Sequence, residues 1–130
     1  MEWIEQYCST LINSGYELYT YSGGYGSGGT GSNGGITYTI ASGHMNVPSH
    51  FWKVVVALPV GNNDLNRIST STRVIAVDMP NTQTVNANAW GTYRTSIDAI
   101  ESATGFDFLS NLPVTIQTTL EAIIDNGPTN

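Results

Sequence analysis

The sequence predicts an α+β domain, an antiparallel sheet with flanking helices. Three observations lead there. The chain opens and closes on apolar repeats at helical spacing. Its middle carries short runs rich in Tyr, Val, Ile and Thr. These runs are punctuated by glycine, proline and asparagine.

Ile4, Cys8, Leu11 and Ile12 stand at i, i+4, i+7 and i+8, one face of a helix, and Gly15 is a natural stop after it. No Ser, Thr, Asp or Asn precedes this repeat as a cap, as expected of a helix whose first turns lie upstream. Tyr16–Tyr21 reads as a strand. The segment from Ser22 to Gly35 is dense in glycine and serine and reads as the flexible tip of a long hairpin. Its return arm is Ile36–Ile40, which alternates apolar and polar residues.

Phe51–Leu58 is nearly continuously apolar, the pattern of a central strand buried on both faces. Arg73–Met79 is a further strand, stopped by Pro80-Asn81. Thr95-x-x-Asp98 resembles a capping box, with Ile97 and Ile100 behind it and Gly105 closing the helix. Pro113 suits the first turn of a last helix, whose apolar stripe is Ile116, Leu120, Ile123 and Ile124. Asn126-Gly127-Pro128 ends it. The order is helix, four strands, two helices, within a single domain spanning residues 1–130.

The chain has 130 residues, enough to bury a core. Its formal net charge is −6, and Lys53, Arg67, Arg73 and Arg94 are its only lysines and arginines. Proteins that grip nucleic acid through phosphates normally carry a basic patch, and none is visible. The single cysteine, Cys8, excludes an intrachain disulfide and reads as a packed thiol on the first helix. No apolar run approaches the roughly 18–20 residues of a membrane span, and Met1-Glu2-Trp3 does not open a signal peptide.

Several motifs give way to plainer readings. Gly24-x-Gly26-x-x-Gly29 formally matches a dinucleotide fingerprint, but a strand rather than a helix is expected to follow it. A Gly-x-Ser-x-Gly nucleophile elbow at Gly24–Gly28 lies in the same Gly/Ser-rich loop. His44 and His50 are six residues apart and lack the further ligands of a zinc site, so both read as surface or half-buried histidines. Tyr16, Tyr19, Tyr21, Tyr25 and Tyr38 could stack on bases, yet no Lys or Arg lies among them.

The residues also resemble a known family. Val47-Pro48-Ser49-His50-Phe51-Trp52-Lys53-Val54-Val55 is similar to a strand of the DNA/RNA non-specific endonucleases of the ββα-metal type. So are Trp90–Glu101 and Thr104–Leu109 to the segments downstream of that strand. Ile4-Glu5-Gln6-Tyr7-Cys8 resembles the end of the family's active-site helix, and Gly15-Tyr16-Glu17-Leu18-Tyr19 the strand after it. The resemblance implies a partial ββα-metal endonuclease fold, the C-terminal half.

The activity it implies is Mg²⁺-dependent phosphodiester hydrolysis of DNA and RNA. There a histidine in an Asp-Arg-Gly-His motif is the general base, and an asparagine on the next helix holds the metal. A glutamate two turns on supports the metal's water shell, and this role falls on Glu5. An arginine one turn further contacts phosphate, and there this chain has Ser9. The chain contains no Asp-Arg-Gly-His. Gly43-His44-Met45 is a fragment of similar letters in the wrong place.

The expected chain is therefore inactive alone and completed by an N-terminal half on another chain, or by a second copy of itself covering the sheet. The alternative is a degenerate, non-catalytic binding or assembly module, with no cofactor of its own. An extracellular or periplasmic setting is implied only by the resemblance.

Overall fold

The computed structural model describes residues 2–30, 36–37, 39–40, 45–46, 48–61, 67–81 and 90–128, with side chains described at 4–28 and from 48 onward within those ranges. The elements follow in the order α1 (Glu2–Asn13), β1 (Tyr16–Tyr25), β2 (Gly29–Thr30), β3 (Ile36–Thr37), β4 (Thr39–Ile40), β5 (Met45–Asn46), β6 (His50–Pro59) and β7 (Arg73–Pro80). A 3₁₀ turn (Trp90–Tyr93), β8 (Arg94–Thr95), α2 (Ile97–Thr104) and α3 (Val114–Ala122) complete the chain. The main sheet is antiparallel in the order β1-β6-β7-β8. Two short ladders, β2 with β3 and β4 with β5, stand apart from it.

Strand β6 organises the molecule. Trp52 to Leu58 are all buried, so both faces of the strand are covered, as its apolar run predicts. Alternation then divides the core in two. Trp52, Val54, Val56 and Leu58 join Val74 and Ala76 of β7, Ile97 and Ile100 of α2, and Leu120 of α3. Val55 and Ala57 join Ile75, Val77 and Met79 of β7, and Ile4, Tyr7, Cys8 and Leu11 of α1. The sheet is thus a middle layer with α1 on one side and α2 and α3 on the other.

Four expectations need correction. The expected pairing of Tyr16–Tyr21 with the Ile36–Ile40 arm is not seen among the described residues: β1 pairs along its whole length with β6, and what stands of the hairpin is the short β2–β3 ladder, with β4 on a second one. The apolar side chains of β6 give β1 a better surface than the Gly/Ser-rich segment offers. The fourth strand of the sheet is instead β8.

The loop expected from Ser22 starts later, because β1 runs on through Ser22, Gly23 and Gly24 to Tyr25. Gly23 is required there. A Cβ on it would lie 2.9 Å from Cζ2 of Trp52 on the neighbouring strand. The 31–35 part of that loop and His44 lie outside the described residues.

The cap of α2 is Ser96, one residue later than the capping-box reading, and its hydroxyl accepts from the Ala99 amide at 3.2 Å. Gly105 closes α2 with φ 79°, as expected. Finally, α3 ends at Ala122, so Ile123 and Ile124 are exposed and only Leu120 of the expected stripe is fully buried. Asp125 is buried beyond the helix in their place.

Candidate active site around Glu5 and Lys53

Helix α1 lays Ile4, Tyr7, Cys8 and Leu11 on the sheet and turns Glu5 and Ser9 to solvent. Glu5 sits one residue from the buried stripe, at the flank of the helix, and there it meets the central strand. Lys53 lies on the α1 face of β6, two positions before Val55, and is 9% exposed. Its Nζ stands 3.6 Å from Oε1 of Glu5, whose side chain is 63% exposed. The lysine buries its stem and sends its head out to the rim.

Cys8 is next to this pair. Burial pushes its thiol up; Lys53 pulls it down and Glu5 pushes it further up, and burial prevails. It is the packed thiol that the sequence predicts. Ser9, one turn after Glu5, folds its hydroxyl back and donates to the Glu5 carbonyl at 3.3 Å.

A magnesium site needs several oxygen donors around the ion. Glu5 supplies one carboxylate, and the Lys53 ammonium beside it opposes a cation. Among the described residues, α1 and β6 do not by themselves hold Mg²⁺ in this place. An exposed, oriented carboxylate suits hydrogen bonding to water at the edge of a site completed by other residues.

His50 does not join Glu5. It starts β6 on the side of Trp52 and Val54, facing away from α1. Nδ1 of His50 is 3.1 Å from Oδ1 of Asp78, and Tyr25 donates its hydroxyl to Oδ2 of the same carboxylate at 2.5 Å. The rings of Tyr25 and His50 stack at 4.8 Å, and their residues are cross-strand partners. Burial, together with the bond to Asp78, pushes the Tyr25 hydroxyl up to about 12, so it is a fixed donor. The half-buried histidine of the sequence reading is therefore one corner of a Tyr-Asp-His cluster, which that reading missed. Strand alternation was the available signal, since His50 and Asp78 share a face once β6 and β7 are paired.

Two more constellations were missed. Arg73 and Arg94 converge on buried Asp125, at 2.9 and 3.0 Å. On the α2–α3 side, Asp98, Glu101 and Glu121 bring carboxylate oxygens within 4.8 Å of one another.

The comparisons with known proteins agree with the architecture. A family model described as DNA/RNA non-specific endonuclease matches residues 1–115. This chain belongs to the DNA/RNA non-specific endonuclease family. It is 42% identical over 123 residues to a protein named Nuclease from Nostoc sp. (strain PCC 7120 / SAG 25.82 / UTEX 2576), a match covering 95% of this chain and 41% of that protein. It is 25% identical over 114 residues to Nuclease C1 of Cunninghamella echinulata var. echinulata, covering 86% of this chain and 42% of that one. The chain thus spans about two-fifths of the length of the curated relatives it matches.

Among solved structures, a chain in the crystal structure of the EndoG/EndoGI complex superposes with a TM-score of 0.58 at 17% identity, covering 84% of this chain and 44% of that one. That likeness bears on fold alone and agrees with the antiparallel sheet flanked by helices. No described helix is long and apolar enough to cross a membrane.

Proposed function

We propose that this endonuclease-family chain is the C-terminal portion of a DNA/RNA non-specific endonuclease, inert alone, that contributes Glu5 to a composite Mg²⁺ site. The observation that carries the reading is the posture of Glu5. It is exposed on α1, steered by Lys53, and short of the donors a metal needs. In the assembled enzyme its carboxylate accepts hydrogen bonds from water beside the metal. The general base and the direct metal ligand come from a segment bearing Asp-Arg-Gly-His and the following asparagine, which this sequence does not contain. When bound, Mg²⁺ would stabilise the charge that develops on the phosphate oxygens. The substrate is DNA or RNA, and the setting is extracellular or periplasmic.

A second reading draws on Ser9. Its hydroxyl turns back to the helix where the family has an arginine for phosphate, and the chain's net charge is −6. These favour a nuclease-like module, alone or as a homo-oligomer, that assembles or binds without hydrolysis.

The test is cleavage of plasmid DNA and of RNA with Mg²⁺, using chain of known mass in solution. It is run alone and with a polypeptide carrying the Asp-Arg-Gly-His segment. Activity only in the mixture, lost in Glu5→Ala, is the expected result. Inactivity in both supports the second reading. Cleavage by the chain alone overturns both and makes His44 and His50 the next residues to replace.

A further inference from the structure

We propose that Asp98, Glu101 and Glu121 form a binding site for a divalent, oxygen-seeking cation, Ca²⁺ before others, that joins α2 to α3 on the side of the sheet away from Glu5. Asp98 and Glu101 are three residues apart and therefore neighbours on α2. Glu121 reaches them from the end of α3, one residue after fully buried Leu120. One carboxylate oxygen from each lies within 4.8 Å of the others. Two oxygens on opposite sides of a Ca²⁺ ion stand about 4.6–5.2 Å apart, so a single Ca²⁺ shell can span the cluster, and an all-carboxylate set suits Ca²⁺, which takes more protein oxygens than Mg²⁺ does.

The second observation is Glu121 itself. It is 9% exposed, and its Oε1 is buried with no hydrogen-bond partner among the described residues. A buried carboxylate oxygen without a donor is costly and calls for a ligand.

Among the described residues no lysine or arginine serves the cluster. The chain's only lysines and arginines are engaged elsewhere: Lys53 with Glu5, Arg67 with Glu17, and Arg73 and Arg94 with Asp125. Glu101 is also held in place, because its Oε2 accepts from the Phe108 amide at 2.7 Å. Burial, with the charges of Glu101, Asp98 and Asp107 around it and a hydrogen bond shared with the Glu101 carboxyl, lifts Glu121 to about 7. A proton thus relieves the repulsion where no metal does. Asp98 is exposed, which leaves room for water to complete the shell.

The site is independent of the catalytic reading, and its test reads binding rather than cleavage. Calorimetric titration of the chelator-treated chain with CaCl₂ at pH 8 should give one ion per chain. A thermal melt under the same conditions should shift upward. Glu121→Gln should abolish both effects, and Asp98→Asn, at an exposed position, should weaken binding at least tenfold. Glu5→Ala should leave both unchanged. Absence of heat and of any melting shift at millimolar Ca²⁺ in the folded chain overturns the proposal. So does binding undiminished in Glu121→Gln and Asp98→Asn.

Discussion

Arg73 grips Asp125 with two prongs, Nε to Oδ1 at 2.9 Å and Nη2 to Oδ2 at 3.0 Å. Arg94 adds a third bond to Oδ2 at 3.0 Å, and Tyr7 of α1 accepts from the other nitrogen of Arg73. Through this one carboxylate the tail after α3 is fastened to β7, β8 and α1. Burial alone would raise Asp125, but the hydrogen bonds from Arg73 and Arg94 outweigh it and hold the carboxyl below its ordinary value.

Asp125→Asn should therefore cost about 3 kcal/mol of stability, because two partly buried guanidinium groups lose their counter-charge. A depressed folded-state value means the contribution is present at neutral pH and is lost as pH falls through the acid range. Urea denaturation at pH 7 and at pH 3 checks this. The difference between wild type and variant should be large at the first pH and small at the second.

Glu121 predicts the opposite slope. Its folded-state value, about 7, lies above the ordinary 4.5, for the burial and the acidic neighbours already described. The folded chain then holds a proton that the unfolded chain releases. That stabilisation is full below pH 4.5 and disappears as pH rises through 7. Chelator-treated chain should lose up to about 3 kcal/mol between pH 5 and pH 8. Glu121→Gln should flatten the profile over that interval, as read by thermal melts.

Gly23→Val places branched carbon against the Trp52 ring, where even a Cβ would stand 2.9 Å from Cζ2. Overpacking of this kind costs about 1–3 kcal/mol. The indole is buried in the core between β6 and α2, so its fluorescence should shift along with the melting temperature. An unchanged spectrum and midpoint would show that β1 yields at no cost.

Lys53→Met tests how the pair beneath α1 is built. The partner carboxylate is mostly exposed, so the ion pair itself is worth little, and the stem is already packed among apolar neighbours. Stability should change by less than about 1 kcal/mol. Cys8 loses the nearby positive charge that lowers it, so its reaction with a maleimide at pH 8 should slow. A faster reaction would mean that the helix has lifted off the sheet.

The sheet's centre was legible in the sequence because β6 and β7 are nearly continuous apolar runs, and a two-sided buried strand has few other readings. Helices α1 and α2 were legible from period and from the glycines that close them. The far end of β1 was hidden by its own composition: glycine signals a loop unless one knows that Trp52 lies across from it. Strand β8 is two residues long and has no period to read. The end of α3 misled because Ile123 and Ile124 continue the apolar stripe, while the buried position goes to Asp125, which Arg73 reaches from 52 residues away in the chain. Glu5 stood out only through resemblance to the family. Its partner Lys53 lay in plain view as the one charge in an apolar strand.

Strand β1 lies at the end of the sheet order and hydrogen-bonds a described strand on one side only. Its ten residues of extended backbone span about 34 Å, and among the described residues no strand pairs with their outer edge. Glu17 is the strand's one charge, and its neighbours Tyr16, Tyr19 and Tyr21 are exposed. Natural edges are commonly blunted by lysine, proline or a bulge; the sequence of this one contains no lysine or proline. An added strand from any source would find a ready template along it, so the isolated chain should self-associate as its concentration rises, and dilution becomes a variable in every solution measurement made on it.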